Sequence, residues 1–321
     1  MKDAVAPPRI VKNFLSVLDL DGQELDRCLN LAAQLKADRG LGRQAPTANT
    51  LDGRSVAMLF EKASLRTRST FEIAIREMGG TVIALPPDAA LGQREPVQDV
   101  ARNLERWFDA VVIRTFSHEV LERFAAAAPR LHVINALSDS EHPCQAVADM
   151  LTLREQWGTP RGRTIAYVGD GNNVAVSLAH AAAMLGVHVH AASPDGYQLP
   201  DAAVQQATSV ARYGARLRLF TDPVDAVAGA DAIYTDTWIS MGQEAEADVR
   251  RRLFAPYQVN DALMSLAKPG AFFMHCLPAH RGEEVTDEVF ESPASLVFDQ
   301  AENRLHCQKA LLAMMFSAPQ P

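Results

Sequence analysis

The sequence predicts an α/β protein of two domains, each a mainly parallel sheet flanked by helices. Its 321 residues are too many for one small core and suit two domains of roughly 150 residues each. Short apolar runs alternate with helical patterns along most of the chain, which is typical of parallel sheets covered on both faces. Two domains imply a cleft between them.

Nine apolar runs are predicted as strands because each is short and bounded by turn residues or by a helical pattern. In the first half of the chain they are SVAMLF, TVIAL, AVVIRTF and HVINAL, and in the second TIAYVGD, HVHAAS, DAIYTD, AFFMHC and SLVFD.

Helical periodicity lies between these runs. Over 64–78, Phe71, Ile75 and Met78 fall on one stripe, and two glycines follow as a stop. Another helix begins at Pro143 and ends at WGTPRGR, a turn that is the candidate domain boundary. We expect one domain over 1–149 and another over 150–302, joined by this bridging helix. The C-terminal stretch 303–321, helical over about 303–316, is expected to return to the first domain.

Composition excludes several classes of function. A net charge of −8 makes a nucleic-acid partner unfavourable, because such binding needs a basic face. No apolar run reaches the length of about 18 residues that a membrane span requires.

The amino terminus resembles neither a secretory signal nor an import presequence, so we expect a cytoplasmic protein. The four cysteines are scattered, which favours reduced thiols over disulfides or a zinc site. No metal or cofactor is expected.

The stretch EKASLRTRSTFE, residues 61–72, concentrates positive charge and hydroxyls where a strand meets a helix. Ser64, Arg66, Thr67 and Arg68 would bring donors to a helix amino end, forming a receptor for an oxyanion, most plausibly phosphate. Cations beside the positive end of a helix dipole are unfavourable unless an anion compensates them. A solvated basic first turn is the alternative. His142 and Gln145 open a second helix in the same way.

GDGNNVAVS, residues 169–177, is a weak match to the dinucleotide fingerprint, because Val174 replaces the third glycine. Taken alone, the stretch is either a nucleotide turn or a plain strand-to-helix turn with an asparagine cap. Asn172 and Asn173 offer amides suited to a carboxylate or an amino group. Asp236, at another strand end, can hold an ammonium.

The run FFMHCLPAHRGEE places Cys276 at a strand end, before a Leu-Pro step where a cis bond would turn the chain sharply. Considered singly, Cys276 is better explained as a buried small hydrophobe. His275 and His280 are likewise better explained by structural roles. Arg304, in AENR, is better explained as a charged residue at the start of a helix.

Considered together, EKASLRTRSTFE, HPCQAVADM, GDGNNV, DTWISMGQE, HCLPAHRGEEVTDEVF and AENR resemble, in order and spacing, the signatures of the aspartate/ornithine carbamoyltransferase family. The resemblance covers nearly the whole chain. S-x-R-T-R and H-P-x-Q resemble motifs of carbamoyltransferases generally, whereas D-x-x-x-S-M-G with H-C-L-P resembles the ornithine branch.

The resemblance implies which residues form the site. It implies catalytic roles for Arg66, Arg114, His142, Asp236 and Cys276. It implies that carbamoyl phosphate is bound by Ser64, Leu65, Arg66, Thr67, Arg114, His142, Gln145, Cys276, Leu277 and Arg304, and ornithine by Asn173, Asp236, Ser240 and Met241. Leu65 stands where most relatives have threonine. By the resemblance, relatives have a glutamine that reaches the phosphate bound by a neighbouring subunit. Ala90 stands at that position in this sequence, and Gln93 is the candidate to make the same contact.

The implied activity is transfer of the carbamoyl group from carbamoyl phosphate to the δ-amino group of L-ornithine, in arginine biosynthesis, by a homotrimer or a multiple of trimers. The small-molecule substrates would be its partners, without nucleic acid or membrane. Another acceptor, such as putrescine, an N-acylornithine or aspartate, is the alternative within the class. An NAD-dependent dehydrogenase and a non-catalytic binding protein are the alternatives outside it.

Overall fold

The computed structural model describes residues 11–62, 64–86, 91, 94–239 and 244–316. In the first domain, four parallel strands form a sheet in the order β2-β1-β3-β4. They are β1 (Ser55–Phe60), β2 (Thr81–Leu85), β3 (Ala110–Arg114) and β4 (His132–Leu137), with helices α1 (Gly22–Ala37), α2 (Leu65–Glu77), α3 (Val97–Leu104) and α4 (His118–Ala127).

In the second domain, five parallel strands form a sheet in the order β7-β6-β5-β8-β9. They are β5 (Thr164–Val168), β6 (His188–Ala192), β7 (Leu217–Phe220), β8 (Ala232–Thr235) and β9 (Phe272–His275). The accompanying helices are α6 (Asn173–Leu185), α7 (Asp201–Ser209), α8 (Pro223–Val227), α9 (Ala247–Phe254), α10 (Asp261–Met264) and α11 (Asp287–Phe290).

Two long helices join the domains, as the sequence predicts. The bridging helix α5 (Pro143–Trp157) is buried on every side from Pro143 to Leu153, because it packs against α1, α6 and α12. The returning helix α12 (Val297–Phe316) contacts α1 and α2 of the first domain as well as β9 of the second. The predicted division between residues 149 and 150 falls inside α5.

Two details of the predicted elements are wrong. The run SLVFD is not a strand: Ser295 makes one isolated bridge to Phe273, and α12 then begins at Val297 rather than near 303. A short apolar run does not distinguish a strand from the start of a buried helix. Strand β7 was not predicted, because it is an edge strand whose side chains are at most partly buried.

The predicted stripe of α2 is confirmed, since Phe71, Ile75 and Met78 are fully buried. All four cysteines are free thiols, as predicted. Among the described helices, none combines the length and the apolar character needed to cross a membrane.

Candidate functional site

A cavity of about 540 Å³ lies between the two domains and opens at the carboxyl ends of strands from both sheets. In parallel sheets, ligands bind at this edge because the amino ends of helices point into it. The first turns of α2 and α6 and the N-cap residue of α5, His142, contribute lining residues. The cavity is therefore built to hold a polar ligand between the domains.

The first turn of α2 presents cations and hydroxyls to this cavity. Ser64 occupies the N-cap position, but its side chain makes no capping hydrogen bond and instead accepts one from Arg114 Nη1 at 3.2 Å. Arg66 is half-buried and Thr67 is buried. The turn contains no acidic residue, so an anion here would be stabilised by the helix dipole and by the side chains together.

The guanidinium groups around this turn lie close enough to repel one another. Burial, and then the charge of Arg304, lower the pKa of Arg114 to about 10. Burial also lowers the pKa of Arg66 and of Arg304. A doubly charged anion would relieve this repulsion, which favours phosphate over a monoanion.

His142 is held neutral at the start of α5. Burial lowers its pKa well below the ordinary value of 6.5, and the charges of Arg304 and Arg114 lower it further. The backbone N–H of His142 donates to Ser177 Oγ at 2.9 Å, which fixes the turn, and Nδ1 has no hydrogen-bond partner among the described residues. A neutral imidazole in this position can donate to a ligand oxygen without adding charge.

Arg304 lies within α12 and is 2% exposed. Its Nη2 donates to Thr67 Oγ1 at 2.7 Å and its Nη1 donates to Gln145 Oε1 at 2.6 Å. The interpretation of Arg304 as a helix-start charge is therefore wrong. Arg304 lines the cavity, whereas Gln145 lies one layer behind it.

The GDGNN turn forms the opposite wall. Asn172 caps α6, because its Oδ1 accepts from the backbone N–H groups of Val174 and Ala175, at 3.0 and 3.2 Å. Gly171 must lack a side chain, since a Cβ there would lie 2.4 Å from the backbone of Gln198. The turn is thus the asparagine-capped one of the two predicted alternatives. Asn173 lines the cavity and donates to the Ser138 carbonyl at 2.5 Å, across the cleft.

Asp236 and Cys276 meet at the ends of the neighbouring strands β8 and β9. The Cys276 thiol donates to Asp236 Oδ1 at 2.9 Å, and Asn172 Nδ2 donates to Oδ2 at 2.8 Å. Removal from bulk water, and then the Asp236 carboxylate, raise the pKa of Cys276 well above its usual 9.0. The thiol is therefore protonated at neutral pH and acts as the donor to the Asp236 carboxylate.

His275 shapes the loop that carries Cys276. Its Nδ1 accepts from the Leu277 N–H at 2.8 Å, so Nε2 carries the proton and faces Glu284 Oε1 at 3.2 Å. Leu277 has a φ of 62° and the Leu277-Pro278 bond is cis, as the sequence analysis considered. Asp236, His275 and Cys276 bring metal-ligand atoms within 4.8 Å of one another, but both ring nitrogens of His275 are already engaged.

Arg250, on α9, connects the GDGNN turn to the chain that follows Asp236. It is 2% exposed, pairs with Asp170, and donates from Nε to the Trp238 carbonyl at 2.7 Å. Its guanidinium also stacks over the Tyr197 ring at 4.7 Å. Residues on both sides of the stretch 240–243 are thus anchored to the wall of the cavity.

Most of the predicted site residues line the cavity together. Gln145 does not, and Arg68, which the sequence analysis placed with the donors, is exposed and outside the lining. Ser240, Met241, Ala90 and Gln93 lie outside the described residues. The residues that meet in the cavity are Ser64, Leu65, Arg66, Thr67, Arg114, His142, Asn173, Asp236, Cys276, Leu277 and Arg304.

Several lining residues were not singled out from the sequence. Lys62 lies inside the quoted motif EKASLRTRSTFE and its Nζ sits over the Phe116 ring at 5.6 Å, so the motif itself was the available signal. The others follow the predicted strand ends or lie in the motifs, namely Phe116, Leu137, Ser138, Asp139, Asp170, Gly171, Thr237, Ile239 and Pro278. Asn172, which the sequence singles out for its amide, also lines the cavity, as do Val174 and His280.

Comparison with known proteins matches both domains to one family. Residues 12–155 match the carbamoyl-P binding domain of aspartate/ornithine carbamoyltransferase, and residues 161–315 match its Asp/Orn binding domain. Among similar proteins is an ornithine carbamoyltransferase from Symbiobacterium thermophilum, 50% identical over 309 residues, which are 95% of this chain and 98% of the relative.

Solved structures agree with this match. The ornithine carbamoyltransferase from Pyrococcus furiosus has a TM-score of 0.89 and 46% identity, with 95% of this chain and 97% of that chain covered. The one from Gloeobacter violaceus has a TM-score of 0.86 and 45% identity, with 96% of this chain and all of that chain covered.

Proposed function

Because the chain belongs to the aspartate/ornithine carbamoyltransferase family, we propose that it transfers the carbamoyl group of carbamoyl phosphate to the δ-amino group of L-ornithine. The products are L-citrulline and phosphate. The observation that carries the proposal is the cluster of Arg66, Arg114 and Arg304 around the acid-free first turn of α2, opposite the Asp236 carboxylate.

The phosphate binds at the first turn of α2. Ser64 and Thr67 supply hydroxyls, Arg66 and Arg114 supply charge, and the exposed Leu65 contributes its backbone. A leucine side chain at this position is tolerated for this reason. Phosphate leaves already paired with guanidinium groups, so its charge is stabilised as the bond to the carbamoyl carbon breaks.

The carbamoyl group lies between His142, Arg304 and Cys276. Attack by the ornithine δ-nitrogen forms the new C–N bond and moves charge onto the carbonyl oxygen, where Arg66, Arg114, Thr67 and neutral His142 donate to it. The C–O bond to phosphate then breaks, its electron pair leaves with the phosphate, and the proton of the nitrogen passes to the departing phosphate. Losing one such preorganised donor costs about 3 kcal/mol of transition-state stabilisation.

Ornithine binds against the second domain. Asp236, with Ser240, holds the α-amino group, and Asn173, with the Met241 backbone, holds the carboxylate. Cys276, protonated and bonded to Asp236, lies at the δ-amino end. Only the neutral amine attacks, and making it neutral at pH 7.4 costs about 4 kcal/mol for an amine with a pKa near 10.4. The site must therefore bind the deprotonated form selectively.

The division of labour between domains follows from this assignment. Residues 1–149, with the returning helix, bind carbamoyl phosphate, and 150–302 bind ornithine.

We also propose a cytoplasmic enzyme of arginine biosynthesis that assembles as a homotrimer through its first domains. The edge strand β2 supports the trimer, because Ile83 on it is 44% exposed and Ile73 on α2 is 39% exposed. An open sheet edge with apolar side chains favours a covering partner.

A panel of acceptors tests the proposed function. Purified protein is incubated with carbamoyl phosphate and, separately, ornithine, putrescine, N-acetylornithine and aspartate, and both the carbamoylated product and phosphate are measured. We expect turnover with ornithine at one phosphate per citrulline. Preference for putrescine, which lacks the carboxylate that Asn173 faces, would overturn the choice of acceptor, and an NADH-dependent reaction would overturn the class.

A further inference from the structure

Asp149 is a buried carboxylate in the helix that joins the two domains. It lies on α5, one turn after Gln145, and has no exposed surface. Its Oδ1 accepts two hydrogen bonds of 2.8 Å, from Gln145 Nε2 and from Gln300 Nε2 on α12. Nothing in the proposed reaction uses this residue directly, because it does not line the cavity.

An ionised carboxylate can only accept hydrogen bonds, so it fixes which way both amides point. Each glutamine turns its NH₂ group toward Asp149 and its oxygen away. Gln145 Oε1 consequently accepts from Arg304 Nη1 at 2.6 Å, and Gln300 Oε1 accepts from the His275 backbone N–H at 3.0 Å. If either amide turned over, an NH₂ group would face another donor.

The two branches reach both halves of the cavity. One passes through Arg304 to Thr67 in the first turn of α2. The other ends at His275, whose ring holds the Leu277 N–H and which directly precedes Cys276. Asp149 also supplies negative charge to Arg304, whose hydrogen-bonded partners Thr67 and Gln145 are neutral.

We propose that Asp149 is a positioning residue for carbamoyl transfer: its negative charge orients Gln145 and Gln300, and thereby aligns Arg304 and the Cys276 loop with the carbamoyl group. This inference rests on the proposed function. It assigns Asp149 no contact with substrate.

The ionisation of Asp149 falls in an accessible pH range. Burial raises its pKa from 3.8 to about 6, opposed by the hydrogen bonds from Gln300 and Gln145 and by the charge of Arg304. Protonation would turn an acceptor into a donor and release the amides.

The other titratable groups that influence Asp149 do not change charge near pH 6. Burial lowers the pKa of Arg304, but a guanidinium does not lose its proton near pH 6. The pKa values of Tyr234, Cys276 and Cys307 are raised well above their usual ones by burial, so these groups stay neutral.

The substitution Asp149→Asn tests the proposal, because asparagine keeps the shape and one acceptor but removes the charge and can turn over. At pH 8 we expect kcat/KM for carbamoyl phosphate to fall about 10- to 100-fold, the usual effect of losing a charged hydrogen-bond partner. The ratio of wild-type to variant kcat/KM should fall toward one as the pH drops below 6. Titration of the substrates cancels in this ratio.

Glu155→Gln is the matched control, since it removes a carboxylate from the same helix at a partly exposed position. It should stay within twofold of wild type at every pH. The melting temperature of Asp149→Asn at pH 8 should equal or exceed that of wild type, because a buried charge has been removed. If Asp149 had only a structural role, the variant should instead have a lower melting temperature than wild type.

Gln300→Glu provides a second test that does not depend on Asp149→Asn folding. A carboxylate next to Asp149 should raise the pKa of the pair. The loss of kcat/KM at acidic pH should therefore begin at a higher pH than in wild type. Any of three results would overturn the proposal. The first is an Asp149→Asn variant whose kcat/KM lies within twofold of wild type at pH 8, and the second is a ratio of wild-type to variant kcat/KM that does not change with pH. The third is a Gln300→Glu variant whose activity falls off at the same acidic pH as that of wild type. If wild type makes no citrulline, the proposed function fails, and Asp149 is then judged by calorimetric binding of carbamoyl phosphate alone.

Discussion

Arg304 donates from Nη2 to Thr67 Oγ1 at 2.7 Å, which joins the last helix to the first turn of α2. The phosphate end of the site is therefore completed only when α12 returns to the first domain. Burying a guanidinium is costly unless its hydrogen bonds are made, and here the hydroxyl of Thr67 and the amide of Gln145 make two of them.

Removing a phosphate-side guanidinium should abolish most of the activity. We expect Arg66→Ala or Arg114→Ala to lower kcat/KM for carbamoyl phosphate at least about a hundredfold, because each removes a preorganised donor from the developing charge. Arg68→Ala, on the same helix but exposed, is the control and should stay near wild type. Steady-state kinetics distinguish these outcomes, and equal effects of all three changes would contradict the assigned site.

The pH dependence of ornithine use should report the substrate amine. His142 is neutral because its pKa is lowered, and Cys276 is neutral because its pKa is raised, so neither changes charge between pH 7 and 9. We expect kcat/KM for ornithine to rise by about tenfold per pH unit until the bound amine is mostly neutral. A flat profile over this range, with unchanged binding of carbamoyl phosphate, would refute selection of the neutral amine.

The buried pair of Arg250 and Asp170 should couple stability to ornithine binding. Arg250→Met leaves the Asp170 carboxylate buried without this partner and should cost about 3–5 kcal/mol of unfolding free energy. Adding Asp170→Asn should restore much of that stability, measured by chemical denaturation. KM for ornithine should stay raised in the double variant, because Arg250 no longer holds the Trp238 carbonyl beside the stretch 240–243. A wild-type KM for ornithine in the double variant would show that this anchor is irrelevant to binding.

Asp149 should lower stability at neutral pH while supporting activity. Its pKa is raised from 3.8 to about 6 in the folded protein. Protonated Asp149 therefore stabilises the folded protein, with full effect below about pH 4. This stabilisation is lost as the pH rises through 6. Relative to wild type, Asp149→Asn should gain up to about 3 kcal/mol of unfolding free energy across that window. Denaturant titrations at pH 4 and pH 7 measure the difference, and an equal difference at the two pH values would contradict the raised pKa.

The sequence was sufficient for the architecture and for about half of the residues that line the cavity. Alternating apolar runs and helical stripes specify parallel sheets, and polar residues directly after strands must then meet at one edge. Asp236 directly follows β8, and Arg66 lies in the first turn of the helix that follows β1.

What the sequence did not predict depends on packing between distant elements. Asp149 gave no signal, since one acid in a helix is ordinarily solvated, and its burial results from α12 covering α5. Gln145 was expected at the surface of the site but lies behind Arg304, because the two bond directly. The strand β7 was missed because an edge strand has only a weak apolar pattern.

Calorimetric titration of wild type and Arg66→Ala with carbamoyl phosphate tests the central claim most directly. We predict saturable binding by wild type, without ornithine, and at least about a hundredfold weaker binding by the variant. Absence of heat with wild type at millimolar carbamoyl phosphate, or equal affinity in both proteins, would contradict the account.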